Sequence, residues 1–81
     1  MVLDDDVIKV EDSKEMANYL NELHKSYADI IMLKFYYELS IKEIAKILNI
    51  TENNVSVRIN RALKALKYIL EERGVSLDKT N

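Results

Sequence analysis

The 81-residue sequence has no cysteine, no proline, no tryptophan, a single glycine and a single histidine. Without cysteine there is neither a disulfide framework nor a thiolate metal site, and the chain fits a reducing cytoplasm. One glycine excludes a Gly-rich phosphate loop. His24, beside Lys25 at an expected helix end, reads as a surface residue rather than a catalytic one. No apolar run approaches the roughly 20 residues that span a bilayer. The acidic start Asp4-Asp5-Asp6 lacks the basic region of a signal peptide. Carboxylate pairs such as Glu71 and Glu72 fall on expected solvated faces with no convergent partner. These absences argue against an enzyme, and no cofactor or metal is expected.

What is present is 48% apolar and 32% charged. A chain this short makes one small domain, and its freedom from proline favours a compact all-helical bundle. The formal charge of −2 conceals a strong asymmetry. Residues 1–24 hold seven acidic and two basic residues, whereas residues 51–73 hold five basic and three acidic. Such a dipole lets one end face phosphate while the other faces away, and it predicts weak DNA binding for the isolated chain.

Residues 40–70 carry the clearest signal. Ser40-Ile41-Lys42-Glu43 has the form of a capping box, in which Ser40 accepts from the Glu43 amide and the Glu43 carboxylate returns to the Ser40 amide. Ile41, Ile44, Ala45 and Leu48 then share one helical stripe, and Asn49 tolerates the left-handed conformation that ends a helix. Thr51 supplies a new N-cap. Val55, Ile59, Ala62, Leu63, Leu66, Ile69 and Leu70 continue an apolar stripe that predicts a long helix to about Tyr68–Glu72. Two helices joined by a three-residue turn make a helix-turn-helix.

At about 100° per residue, the face opposite that stripe carries Asn53, Val57, Asn60, Arg61, Lys64 and Tyr68, with Ser56 and Lys67 on its shoulder. Any amphipathic helix has a solvated face; the short turn is what turns this one toward a DNA groove. The N-terminal part of such a helix approaches base edges. Asn53, Ser56, Val57, Asn60 and Arg61 are therefore the candidate base readers. Lys64 and Lys67 lie further along and are expected at phosphate, and Lys42 and Lys46 add backbone contacts from the preceding helix. Arg58 lies at the edge of the buried stripe, where it either meets phosphate or braces the bundle through Glu38 or Glu43.

The remaining chain supplies the scaffold. Residues 1–11 read as an acidic linker or arm, residues 12–73 as the helix-turn-helix domain and residues 74–81 as a frayed tail. Asp12 caps a first helix from about Ser13 to His24, with Met16, Tyr19, Leu20 and Leu23 on its apolar stripe. Ser26 is the expected cap of the next helix, which is the most apolar in the chain and the expected centre of the core. Its Phe35, Tyr36 and Tyr37 are expected to pack there rather than to stack on bases. One core is expected from Ile30, Leu33, Ile44, Leu48, Val55, Ile59 and Leu66. Gly74 sits where a helix C-cap is expected, with Arg73 before it at the negative end of the dipole. The fold class is thus a small all-α four-helix bundle containing a helix-turn-helix with a long C-terminal recognition helix.

From Leu23 to about Leu70 these residues resemble region 4 of bacterial sigma-70 family sigma factors, closest to the extracytoplasmic-function (ECF) group. The carriers are Tyr27 to Leu33 with Lys34-Phe35-Tyr36-Tyr37, then Leu39-Ser40, Glu43-Ile44-Ala45, Leu48, Ile50, Val55, Arg58, Arg61-Ala62 and Leu66. The family often has Leu-Pro ahead of its second helix, where this chain has Leu23-His24. The resemblance implies a monomeric, cytoplasmic domain that reads the promoter minus-35 element in the major groove and docks on the β-flap of RNA polymerase. It implies a flap-docking surface including Leu20, Leu23 and Ile31, and an anti-sigma factor as a further partner. A LuxR-type response-regulator domain and a protein-only interaction module are the alternative readings. The family's region 2 has no counterpart in these residues.

Overall fold

The computed structural model describes residues 13–74 and two short N-terminal strands, β1 (Val2–Leu3) and β2 (Ile8–Lys9). The strands pair antiparallel, Val2 with Lys9 and Leu3 with Ile8. The segment read from sequence as an acidic linker or arm thus contains a strand pairing, in keeping with the preference of Val and Ile for extended backbone. The domain itself is built from α1 (Ser13–Asn21), α2 (Lys25–Ile31), α3 (Ile41–Leu48) and α4 (Glu52–Glu72), with a π-helical turn, Met32–Tyr36, extending α2.

The α1 stripe buries Met16 and Leu20, and Leu23 follows it into the core from the connection to α2. The expected Asp12 cap lies outside the described residues. The second helix starts earlier than predicted, and His24 rather than Ser26 caps it. The His24 Nδ1 accepts from the Ser26 backbone amide at 3.2 Å. An imidazole nitrogen at the N-cap position satisfies one of the orphan donors of the first turn, which displaces the hydroxyl expected to do so.

The α2 helix packs against both α1 and α4, so a wide arc of its surface is covered. Ile30 and Ile31, neighbours in sequence, are both fully buried for that reason. The π turn then changes the register. The Tyr37 amide donates to the Met32 carbonyl, five residues back, at 2.9 Å. Phe35 stays packed against the core, while Tyr36 and Tyr37 point to solvent and meet each other edge to face at 5.2 Å. Of the three aromatics expected to pack in the core, only Phe35 does so, half-buried at its margin. Glu38, with φ of 56°, ends the segment in the left-handed region.

The long α4 packs against each of the other three helices. Ile30, Ile44, Val55 and Leu66 of the expected core are fully buried. Leu33, Leu48 and Ile59 are half-buried and pack at its margin, and Leu70 is wholly enclosed instead. The end of α4 is tied back to α1 territory: Arg73 donates through Nε to Glu22 Oε2 at 3.2 Å, and its Nη2 also pairs with Glu22 Oε1. That carboxylate holds the Arg73 guanidinium above its ordinary pKa. Gly74 follows with φ of 74°, the left-handed position that a glycine accepts without strain. The tail beyond it lies outside the described residues.

Candidate nucleic-acid interface

The interface is organised by two caps and one turn. At the start of α3 both halves of the capping box are formed: Ser40 Oγ accepts from the Glu43 amide and Glu43 Oε1 accepts from the Ser40 amide, each at 3.0 Å. Hydrogen bonding to the carboxylate from Ser40, first from its backbone amide and then from its side chain, holds the Glu43 carboxyl below its ordinary pKa. Lys46 adds a smaller pull in the same direction.

The turn between α3 and α4 is Asn49-Ile50-Thr51. Asn49 lies in the left-handed region at φ 55°, ψ 49°, and the Ile50 amide reaches back to the Ala45 carbonyl at 3.0 Å. That closes α3 as a left-handed C-terminal motif with Ile50 packed against the core. Thr51 Oγ1 then accepts from the Asn54 amide at 3.1 Å and starts α4. Each step is local, and together they set the two helices as a helix-turn-helix.

With that frame in place, the exposed surface of α4 follows. Asn53, Val57, Asn60, Arg61, Lys64 and Tyr68 are all exposed, and Ser56 and Lys67 are half-buried on the shoulder. Arg58 is also exposed. Among the described residues it makes no ion pair with Glu38 or Glu43, the latter being committed to Ser40. On α3, Lys42 and Lys46 are exposed. They line one shallow depression over the turn with Asn49, Thr51 and Glu52. The cations of α3 and the start of α4 thus border a single continuous surface.

The family is decided by the sequence model described as Sigma-70, region 4, which matches residues 13–66. The chain belongs to the sigma-70 region 4 family. It is 32% identical to the RNA polymerase sigma factor SigV of Bacillus subtilis over 93% of this chain and 50% of that protein. It is 36% identical to the ECF RNA polymerase sigma factor SigW of the same organism, over 85% of this chain and 37% of the relative. For the ECF RNA polymerase sigma factor SigM the identity is 35%, over 84% of this chain and 41% of the relative. The chain spans half or less of the length of these curated relatives.

One expectation for this region 4 domain meets a structural correction. Leu20, Leu23 and Ile31, assigned to an exposed docking surface, are 7%, 8% and 0% exposed and belong to the core. Helix α1 closes over α2 and α4 and buries them. Among the described residues, the large apolar side chains left at the surface are instead Tyr36, Tyr37, Ile47, Val57 and Tyr68. Met32, Leu33, Tyr37 and Leu48, with Asp29 at the edge, line a shallow groove between the α2 extension and α3. A signal for Ile47 was present in the sequence, since it falls outside the α3 stripe of Ile41, Ile44, Ala45 and Leu48. The Tyr36 and Tyr37 exposure had none, because it depends on the π turn. No helix among the described residues is long and apolar enough to cross a membrane.

Proposed function

We propose that this chain is a promoter-reading domain of the cytoplasm, which binds the minus-35 element through α4 and RNA polymerase through a separate apolar surface. It acts as a monomer and by binding, as sigma factors do, and not by covalent chemistry. The observation that supports this reading most directly is the exposed set Asn53, Val57, Asn60 and Arg61 on the first turns of α4, ahead of Lys64. It stands on a helix-turn-helix of the sigma-70 region 4 family.

The division of labour follows from position. Asn53, Ser56, Val57, Asn60 and Arg61 approach base edges, and the Arg61 guanidinium can bond both acceptors of one guanine while Asn60 pairs with adenine. Lys42, Lys46, Arg58, Lys64 and Lys67 meet phosphates on either side of the groove. Five such contacts give a slope of about −4.5 in log affinity against log salt. The polymerase β-flap docks in the groove of Met32, Leu33, Tyr37 and Leu48, because the apolar residues first considered for it are buried. An anti-sigma factor competes for the same surfaces.

Salt titration of binding to promoter duplexes tests the reading. Arg61→Ala relaxes sequence preference by about 1 to 3 kcal/mol, whereas Lys64→Ala weakens all sequences alike and flattens the salt slope by about one unit. A protein-only module shows no DNA binding to titrate. If both variants bind and discriminate as the parent does, this face is not the reading face.

A further inference from the structure

Between 52 and 61, the part of α4 that presents side chains to the groove, the exposed residues are Glu52, Asn53, Asn54, Val57, Arg58, Asn60 and Arg61. Every one of them carries a hydrogen-bonding or charged group except Val57, which is 37% exposed. A β-branched residue is a poor helix former, and at an exposed helix position it gains no core packing in exchange. Val57 stands about one helical turn from Asn53 on one side and from Asn60 and Arg61 on the other, about 4.5 to 6 Å along the axis. It therefore lies in the middle of the base-facing set rather than at its rim.

The chemistry of the groove defines what such a residue reads. Amides match the paired donor and acceptor of adenine, and a guanidinium matches the two acceptors of guanine. Neither addresses the one apolar group on a major-groove base edge, the 5-methyl of thymine. From this we infer that Val57 reads a thymine through its 5-methyl group, with Asn53, Asn60 and Arg61 reading the neighbouring base pairs. The inference deepens the DNA-reading role proposed above and rests on it. The contact excludes water from one methyl group and two branched methyls of the protein. Such burial corresponds to an affinity difference of about fourfold per methyl group.

The test uses the full 81-residue chain at low salt. A pool of duplexes with a randomised window is enriched for binders, and each thymine of the selected site is then replaced singly by deoxyuridine. That replacement deletes the methyl and leaves the hydrogen-bonding edge intact. One position is expected to lose about three- to fivefold in affinity with the parent chain. Val57→Ala is expected to bind thymine and uracil at that position equally, while responding to changes at the other positions as the parent does. Alanine is the better helix former, so the variant keeps α4, which circular dichroism verifies.

Two results overturn the inference while leaving DNA reading in place: a selected site in which no thymine responds, or a Val57→Ala variant with the parent's preference for thymine. Salt-sensitive binding that enriches no sequence overturns the inference together with base reading, and leaves only phosphate contact. Failure of the chain to bind any duplex overturns the whole DNA-reading role.

Discussion

The two junctions that flank α3 do the same mechanical work by different means. Each stops a helix with one residue in the left-handed region, Glu38 at φ 56° before α3 and Asn49 at φ 55° after it. Each is followed two residues later by an N-cap hydroxyl, Ser40 and Thr51 respectively. After α3 the left-handed residue is asparagine, which tolerates that conformation, and the helix ends from an ordinary α turn. Before α3 the residue is glutamate, which tolerates it poorly, and the helix ends from a π turn whose Leu39 amide reaches back to the Leu33 carbonyl at 3.1 Å. The junction that orients the reading helix is relaxed. The one that orients the scaffold helix stores backbone strain and turns Tyr36 and Tyr37 outward. Strain of this kind is tolerated where the surrounding packing over-determines the backbone, and here Ile30 and Ile31 anchor the helix that precedes it.

Both junctions depend most on the packing of the helix between them. Ile44 is fully buried in α3, so Ile44→Ala is expected to cost about 2 to 5 kcal/mol in a denaturant melt and to loosen both junctions together. Leu48→Ala, half-buried beside the second junction, is expected to cost less than Ile44→Ala. Equal losses would mean that the margin of the core is as tightly closed as its centre.

The next test separates the junctions by sign. Asn49→Ala places a side chain that resists the left-handed conformation at the relaxed junction, and a loss of about 1 kcal/mol is expected. Glu38→Gly relieves the strained one, and a net gain of about 0.5 kcal/mol is expected after the added freedom of the unfolded chain is subtracted. Thermal melts of the two variants should shift in opposite directions; a destabilising Glu38→Gly would show that the π turn is not strained.

Caps come next. Thr51→Ala is expected to cost about 1 kcal/mol, and His24→Ala a similar or smaller amount, since each removes one side-chain acceptor from a helix N-terminus. Hydrogen exchange at the Asn54 and Ser26 amides reports each loss separately. Faster exchange at Asn54 in Thr51→Ala, with Ser26 unchanged, is the expected pattern.

The smallest effect is electrostatic. Because the folded-state pKa of Glu43 is depressed by its bonds from Ser40, the capping box contributes stability that is present above the ordinary carboxylate pKa. That contribution is lost as the pH falls through the lowered folded value. An acid titration of stability should therefore be shallower for Glu43→Gln than for the parent at the low-pH end, with no difference near neutral pH in slope. A parent and variant with identical acid limbs would dissociate the carboxylate from the cap.

Much of this molecule was legible before any tertiary contact was known, and the legible part is the local part. The Ser40 capping box, the Asn49 stop, the Thr51 cap and the length of α4 all follow from interactions spanning three or four residues, which a linear sequence displays directly. The exposed face of α4 followed for the same reason, because α4 keeps its 100° period unbroken from Glu52 to Glu72 and the apolar stripe names the opposite face. What the tertiary structure alone decided is which apolar residues outside a stripe find cover. Leu20, Leu23 and Ile31 are buried because α1 and α4 happen to meet around α2, and Tyr36 and Tyr37 are not because a π turn rotates them away. The Glu22–Arg73 pair joins residues 51 apart in sequence, so no local pattern announces it. Burial is a property of the neighbour that arrives as much as of the residue that waits, and the sequence states only the second.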